Sequence, residues 1–298
     1  GERGPVMPAD TPLRRFVVDF LASPLAVIAG LGLLAIALTA LFAGIIAPQN
    51  PYDLAQIDIM DGSLTPGTEG FGGFTYWLGS DEQGRDMLSA MIYGLRISLM
   101  VSFVAVSSAV TVGMVLGLLA AARGGWVETL IMRIVDIQLS FPALLVALLL
   151  LASLGKGVDK VIIALILVQW AYFARTVRAA ALVEIRKDYV TAARAAALPQ
   201  WRILFGHVLP NVMPPVLVIA TVQIANAIAI EASLSFLGVG VPITEPSLGL
   251  LIANGFDYLL SGRYWISFYP GVALLVTLVC INVVGDHVRD ILNPRMQR

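Results

Sequence analysis

Tyr189-Val-Thr-Ala-Ala-Arg-Ala-Ala-Ala-Leu-Pro-Gln-Trp-Arg-Ile-Leu-Phe-Gly-His-Val-Leu-Pro210 is a short alanine-rich segment with polar flanks, set between long apolar runs that are almost free of charge. Alanine is the strongest helix former, so Ala192, Ala193, Ala195, Ala196 and Ala197 predict a narrow helix. Tyr189 and Arg194 add an aromatic ring and a cation, and Leu198 adds an apolar contact. Pro210, Pro214 and Pro215 are expected to separate this helix from the run that follows, since proline is tolerated in a helix's first turn and not in its middle. A compact helix kept in such surroundings implies a partner that it meets.

The apolar runs set the fold class. The 298 residues are 58% hydrophobic and 13% charged, against about 25% charged residues in soluble domains. Crossing the hydrocarbon of a bilayer as a helix takes about 20 apolar residues. Charge-free windows run over 20–52, 97–122, 137–155, 161–174, 203–230 and 264–285. They predict an all-α polytopic membrane protein with six transmembrane helices. The window 161–174 is short, so its helix is expected to continue past Arg175 and Arg178, whose long side chains can reach the interface.

This divides the chain into a segment 1–24 with an interfacial helix, a first transmembrane helix 25–47, an external loop 48–95 and a five-helix core 96–298 that holds the alanine-rich helix at about 186–200. The interfacial helix rests on Leu13, Phe16, Val17 and Phe20 at helical spacing. A cleaved leader beginning at Arg14-Arg15 is disfavoured, because the apolar run is long and five further spans follow.

Orientation follows from Lys and Arg, which concentrate on the cytoplasmic side. With the N-terminus inside, fourteen of the nineteen basic residues are cytoplasmic, and Arg85, Arg96, Lys156, Lys160 and Arg263 are external. Both termini and the alanine-rich helix are therefore predicted cytoplasmic. The external loop is acidic, with Asp53, Asp58, Asp61, Glu69, Asp81, Glu82 and Asp86 against Arg85. Within it, Ser80 and Gln83 fit a capping box, which predicts a helix over 80–89 ahead of the second span. Gly113-Met-Val-Leu-Gly117 allows two helix backbones to approach closely. Cys280, the one cysteine, reads as a small packing residue.

The alanine-rich segment resembles the EAA loop of ABC-importer permeases, whose pattern is Glu-Ala-Ala, three residues, Gly, nine residues, Ile-x-Leu-Pro. Thr191-Ala192-Ala193 stands at the triplet, Ala197 at the glycine, His207 at the isoleucine and Leu209-Pro210 at the end. Thr191 lacks the acid, and Ala197 trades backbone freedom for helix propensity. The segments 77–99, 133–142, 231–240 and 285–294 are similar to the second permease subunit of the dipeptide and oligopeptide importers, so the resemblance covers nearly the whole chain.

That resemblance implies a type I ABC importer permease fold in the bacterial inner membrane. It also implies a complex with a second homologous permease, two ATPase subunits that hold ATP and Mg, an extracytoplasmic substrate-binding protein and a peptide cargo. Tyr189, Thr191, Ala192, Ala193, Arg194, Ala197, Leu198 and Pro199 then form a coupling helix docked on an ATPase. Closure of the ATPases carries that helix and tilts the spans. The external position and mixed charge of Asp81, Arg85 and Asp86 point to contact with the binding protein.

No chemistry is expected of this chain. Gly155-Lys156-Gly157 lacks the upstream glycine and the Ser/Thr of a phosphate-binding loop, and His207 and His287 form no metal-spaced cluster with Cys280. Nothing supports a cofactor, a metal or nucleic-acid binding. Asp136, Gln138, Gln169, Gln223, Asn226, Glu231 and Asn282 are costly in hydrocarbon unless they face the bundle, a watery path or a neighbour. Gln223 and Asn226 share a helical face, and Glu231 lies beyond them where a peptide amine could be attracted. An interhelical hydrogen bond or a salt bridge near the interface is the competing reading of each. An ATP-independent secondary transporter would need coupling carboxylates or repeated halves, and a passive channel has no use for a docking helix. The cargo is open between peptides and a nickel chelate, glutathione, an opine or an oligosaccharide.

Overall fold

Ser23 and Pro24 open the first long apolar helix: the serine hydroxyl accepts from the Ala26 amide at 3.3 Å, and the proline sits where no amide partner is needed. The computed structural model describes residues 12–53 and 55–292. Arg3, Arg295, Arg298 and the end of the 285–294 motif lie outside these, as does the Leu13 side chain. Helix α1 (Pro12–Leu21) leads into α2 (Pro24–Leu41) and the single turn α3 (Ala43–Ile46). A loop with a two-residue hairpin, β1 (Thr68–Glu69) and β2 (Thr75–Tyr76), precedes α4 (Met87–Arg123). Then follow α5 (Gly125–Leu139), α6 (Ala143–Leu154), α7 (Val158–Glu184), α8 (Asp188–Ala195), α9 (Gln200–Ile203), α10 (Leu209–Phe236), α11 (Leu248–Phe256) and α12 (Trp265–Leu292).

Among the described residues five helices are long and apolar enough to cross a membrane: α2, α4, α7, the continuous run from α9 through α10, and α12. The window 137–155 does not form a straight span. It bends by 93° between α5 and α6, and counts as the sixth crossing only if the bent pair is taken together. The cause is local, since Pro142 lacks an amide and biases the residue before it away from the helix. Alone, the 12 residues of α6 reach about 18 Å, short of the ~30 Å of hydrocarbon. Helix α7 does run through Arg175 and Arg178 to Glu184, and both arginines pair with carboxylates of α5, Arg175 with Asp136 and Arg178 with Glu128.

The prolines act differently from the expectation. Pro210, Pro214 and Pro215 lie within a continuous helix and do not separate it from what precedes. A π-helical turn over Leu204–Val208 widens the backbone immediately before Pro210. That is where a proline ring would otherwise press on the carbonyl four residues back. The break in the chain comes earlier, at Ala196–Pro199.

The core gathers around α4, α7 and α10, with Val101, Leu165, Phe173, Val212 and Leu234 fully buried. Gly113 and Gly117 bring α4 onto α7. A Cβ at Gly113 would sit 2.8 Å from the Trp170 carbonyl oxygen, and one at Gly117 would sit 2.7 Å from that of Ala174. Cys280 packs against Gly32 of α2.

Contacts also assign the two ends of the bundle. Phe20 of α1 meets His287 of α12, and Gln200 donates to the Ala122 carbonyl, so α1, α9 and the C-terminal parts of α4 and α12 share one end. At the other end Trp265 Nε1 donates to the Ser80 carbonyl at 3.1 Å, Arg263 reaches Ser63, and the Gly157 amide donates to the Gly240 carbonyl. Helix α11, capped by the Ser247 hydroxyl on the Leu250 amide, lies among the connections at this second end and was not anticipated from the sequence.

Candidate functional site

Helix α8 has the charges its dipole favours, Asp188 in the first turn and Arg194 in the last. Its end is a Schellman motif: the Leu198 amide donates to the Ala193 carbonyl at 3.2 Å and the Ala197 amide to the Arg194 carbonyl at 2.9 Å. Ala197 occupies the left-handed position of that motif, with φ +57°. Its residue type therefore brings strain where the sequence suggested helix propensity.

One face of α8 is seated in its own bundle. Val190 is fully buried and Ala193 is 9% exposed, and Tyr189 and Leu198 are half-buried against the same core. The Tyr189 hydroxyl donates to Glu184 Oε1 at 2.8 Å and accepts from Asn211 Nδ2 at 3.3 Å, which ties α8 to both α7 and α10. Burial first, then the Glu184 carboxylate, pushes the Tyr189 hydroxyl up to about 12, so it stays a neutral donor. Lys187 pairs with Glu184 at 2.7 Å. Thr191, Ala192, Arg194, Ala195, Ala196, Ala197 and Pro199 are exposed. The alanines thus divide: Ala193 packs inward, and Ala192, Ala195 and Ala196 offer a smooth outer face. Ala193, Leu198 and Tyr189 position the helix.

Asp81, Arg85 and Asp86 are 5%, 7% and 1% exposed, which leaves them little surface to offer a partner. No helix forms over 80–86; the helix begins only at Met87, as the first residue of α4. Asp81 Oδ1 accepts from the Gln83 and Arg85 amides, each at 2.9 Å, and Arg85 Nε meets Asp81 Oδ2 at 2.6 Å, so the aspartate captures the donors a helix would use. Gly84, at φ +79°, closes this turn. Asp86 caps α4 instead, accepting from the Ser89 amide at 2.8 Å, and burial raises its pKa against those hydrogen bonds. Glu82 and Gln83 are the exposed residues of the turn. Below it Asp61 accepts from the Tyr76 hydroxyl at 3.1 Å, making the loop a folded cap on the starts of α4 and α12.

Glu231 is separated from Gln223 and Asn226. It is fully buried and accepts from the Ser98 hydroxyl of α4 and the Ser235 hydroxyl of its own helix, each at 2.8 Å. With both oxygens accepting from hydroxyls, this carboxylate tethers α10 to α4 and has no unpartnered oxygen for a passing amine. Gln223 and Asn226 do come together, with Asn226 Nδ2 donating to Gln223 Oε1 at 2.8 Å. They line a groove of about 410 Å³ between α6, α7 and α10, which Gln169, Tyr172 and Ser233 also line. Gln138 lies elsewhere, bonded to the Val168 carbonyl and to the Trp170 indole, and Asp136 is held by Arg175. The groove's third amide, Gln169, was noticed in the sequence only as one of several buried polar residues, because α7 and α10 become neighbours only in the fold.

Residues 113–298 match the family described as "Binding-protein-dependent transport system inner membrane component", and residues 11–66 match "N-terminal TM domain of oligopeptide transport permease C". The chain is 37% identical over 288 residues to the Di/tripeptide transport system permease protein DppC of Pseudomonas aeruginosa, covering 96% of this chain and 93% of that protein. It is equally 37% identical over 288 residues to the Dipeptide transport system permease protein DppC of Escherichia coli, covering 97% and 95%. Among solved structures, an inward-facing MetNI methionine ABC transporter aligns with TM-score 0.56 at 21% identity, over 70% of this chain and 98% of that one.

Proposed function

The chain belongs to the inner-membrane component family of binding-protein-dependent transport systems, and from that premise we propose that it is the permease subunit of an ATP-driven importer of di- or oligopeptides. It is a permease component with no catalysis of its own. In this reading ATP and Mg are held by two partner ATPase subunits, a second permease completes the pathway, and an extracytoplasmic binding protein delivers the peptide. The end that carries α8 is the cytoplasmic one, since Arg123, Arg186, Lys187, Arg194, Arg202 and Arg289 gather toward it.

The observation that carries the proposal is the seating of α8. A coupling helix has to transmit force, so it needs one face fixed to the bundle and another left for the motor. Val190, Ala193 and the Tyr189 hydroxyl supply the first; Ala192, Ala195 and Ala196 supply the second. Movement of an ATPase groove then passes through Tyr189 into α7 and α10 together, and these two helices wall the groove that holds Gln169, Gln223 and Asn226. At the outer end, Glu82 and Gln83 are the side chains of the Asp81–Asp86 turn that a binding protein can reach.

The test is uptake of a dipeptide into proteoliposomes holding the complete transporter. Uptake requires ATP and the binding protein, and Ala196→Arg abolishes it while the subunit still inserts and assembles. Uptake by the Ala196→Arg transporter at the native rate would refute docking through this face.

A further inference from the structure

The groove between α6, α7 and α10 has a composition unusual for a place where small charged molecules are handled. Gln169, Gln223, Asn226 and Tyr172 converge on it, its remaining lining is mostly aliphatic, and no charged side chain lines it among the described residues. Its polar equipment is therefore amide and hydroxyl, offering neutral donors and acceptors side by side. Gln169 and Gln223 lie near the middle of their helices, Val158–Glu184 and Leu209–Phe236, so the amides stand at mid-height of both walls.

One buried atom of this set has unspent capacity. Gln169 is 1% exposed, and its Nε2 donates to the Gln223 carbonyl at 3.1 Å, which fixes which end of the amide is oxygen. The Oε1 left over is buried and accepts nothing. A buried acceptor without a donor is costly, and helix α7 keeps this one beside a groove roomy enough for several non-hydrogen atoms. Gln223 Oε1, by contrast, is already satisfied by Asn226.

We propose that this groove holds peptides by their main chain, with Gln169 Oε1 accepting from a peptide-bond N–H as the cargo passes. This rests on the peptide-importer reading given above and deepens it. Amide side chains match the alternating N–H and C=O of a peptide without regard to its side chains. An uncharged lining neither traps nor repels cargo of either sign. Both properties suit a path that must release each molecule after a brief stay. Sequence discrimination then belongs elsewhere.

The experiment uses the complete transporter in nanodiscs, with Cys280→Ser and Ala229→Cys placing one reporter thiol of this chain at the groove. Labelling by a methanethiosulfonate is read on this chain by mass spectrometry, in the presence of Ala-Ala or of its ester analogue alanyl-lactate, which keeps the shape and loses the N–H. Ala-Ala protects the thiol at about fivefold lower concentration than the ester, the value of one ordinary hydrogen bond. Gln169→Leu brings the two together. If neither compound protects, the groove is off the peptide's path and the pathway reading falls, taking this inference with it. Equal protection by both in the transporter with native Gln169, or a difference that survives Gln169→Leu, overturns main-chain recognition alone. The first comparison needs no change at Gln169, so it stands even if that variant fails to fold.

Discussion

Replacing Ala197 with glycine separates two readings of the same residue by sign. Were Ala197 helical, glycine would cost about 1 kcal/mol in propensity. In the structure it is the left-handed residue of the Schellman motif that ends α8, at φ +57°. There an L-residue pays roughly 1–2 kcal/mol. Glycine removes that strain and adds about 0.4–1 kcal/mol of unfolded-chain entropy. The balance favours glycine by roughly 0.5–1 kcal/mol, a two- to fivefold shift in local opening at ~0.6 kcal/mol per RT. Hydrogen exchange of the segment 188–200 in the reconstituted complex reads this directly, through the amides of Ala197 and Leu198. Corrected for intrinsic rates, Ala197→Gly slows exchange by about that factor. Faster exchange would refute the left-handed assignment and the argument built on it.

Further substitutions probe other regions of the molecule. Arg85→Ala leaves the buried Asp81 carboxylate without its partner at 2.6 Å and destabilises the loop that caps α4 and α12 by about 3 kcal/mol. Asp81→Ala with Arg85→Ala costs clearly less, and thermal unfolding of the complex that ranks the double below the single contradicts this. Gly113→Ala puts a methyl 2.8 Å from the Trp170 carbonyl oxygen, so α4 and α7 must part at a cost of roughly 1–3 kcal/mol; an unchanged unfolding temperature would show that the helices are not so closely packed. Tyr189→Phe removes the hydroxyl that joins Glu184 to Asn211, and substrate-stimulated ATPase falls severalfold while basal ATPase is retained. Equal stimulation in both proteins would remove Tyr189 from the transmission path.

Long, charge-poor runs made most of the helices legible in the sequence, because burial of apolar surface along a span is a local property. The GxxxG pair in α4 was equally readable, and the structure adds that α7 is what it meets. The bend at Pro142 was harder to see, since a proline flanked by apolar residues fits either a kinked span or two helices. The π turn before Pro210 converts three prolines from a break into a continuous helix, and nothing in the residue types announces a one-residue widening. Asp81 misled in a definite way: an acid beside Ser80 and ahead of Gln83 looks like a helix start, yet its carboxylate satisfies the amides of a turn. Glu231 and Ala193 illustrate the remaining gap, because which way a helical residue points depends on what the fold packs against it, as Ser98 does for Glu231 from more than a hundred residues away.

Cross-linking of α8 tests the central claim most directly. In a Cys280→Ser background, cysteine placed at Ala192 or Ala196 is coupled to the assembled partners with a short bifunctional thiol reagent, with Ala193→Cys as the inward-facing comparison. The account predicts products between this chain and an ATPase subunit from Ala192→Cys and Ala196→Cys, changing in yield when ATP binds, and little from Ala193→Cys. Products with the binding protein, or none with an ATPase from either outward position, would contradict it.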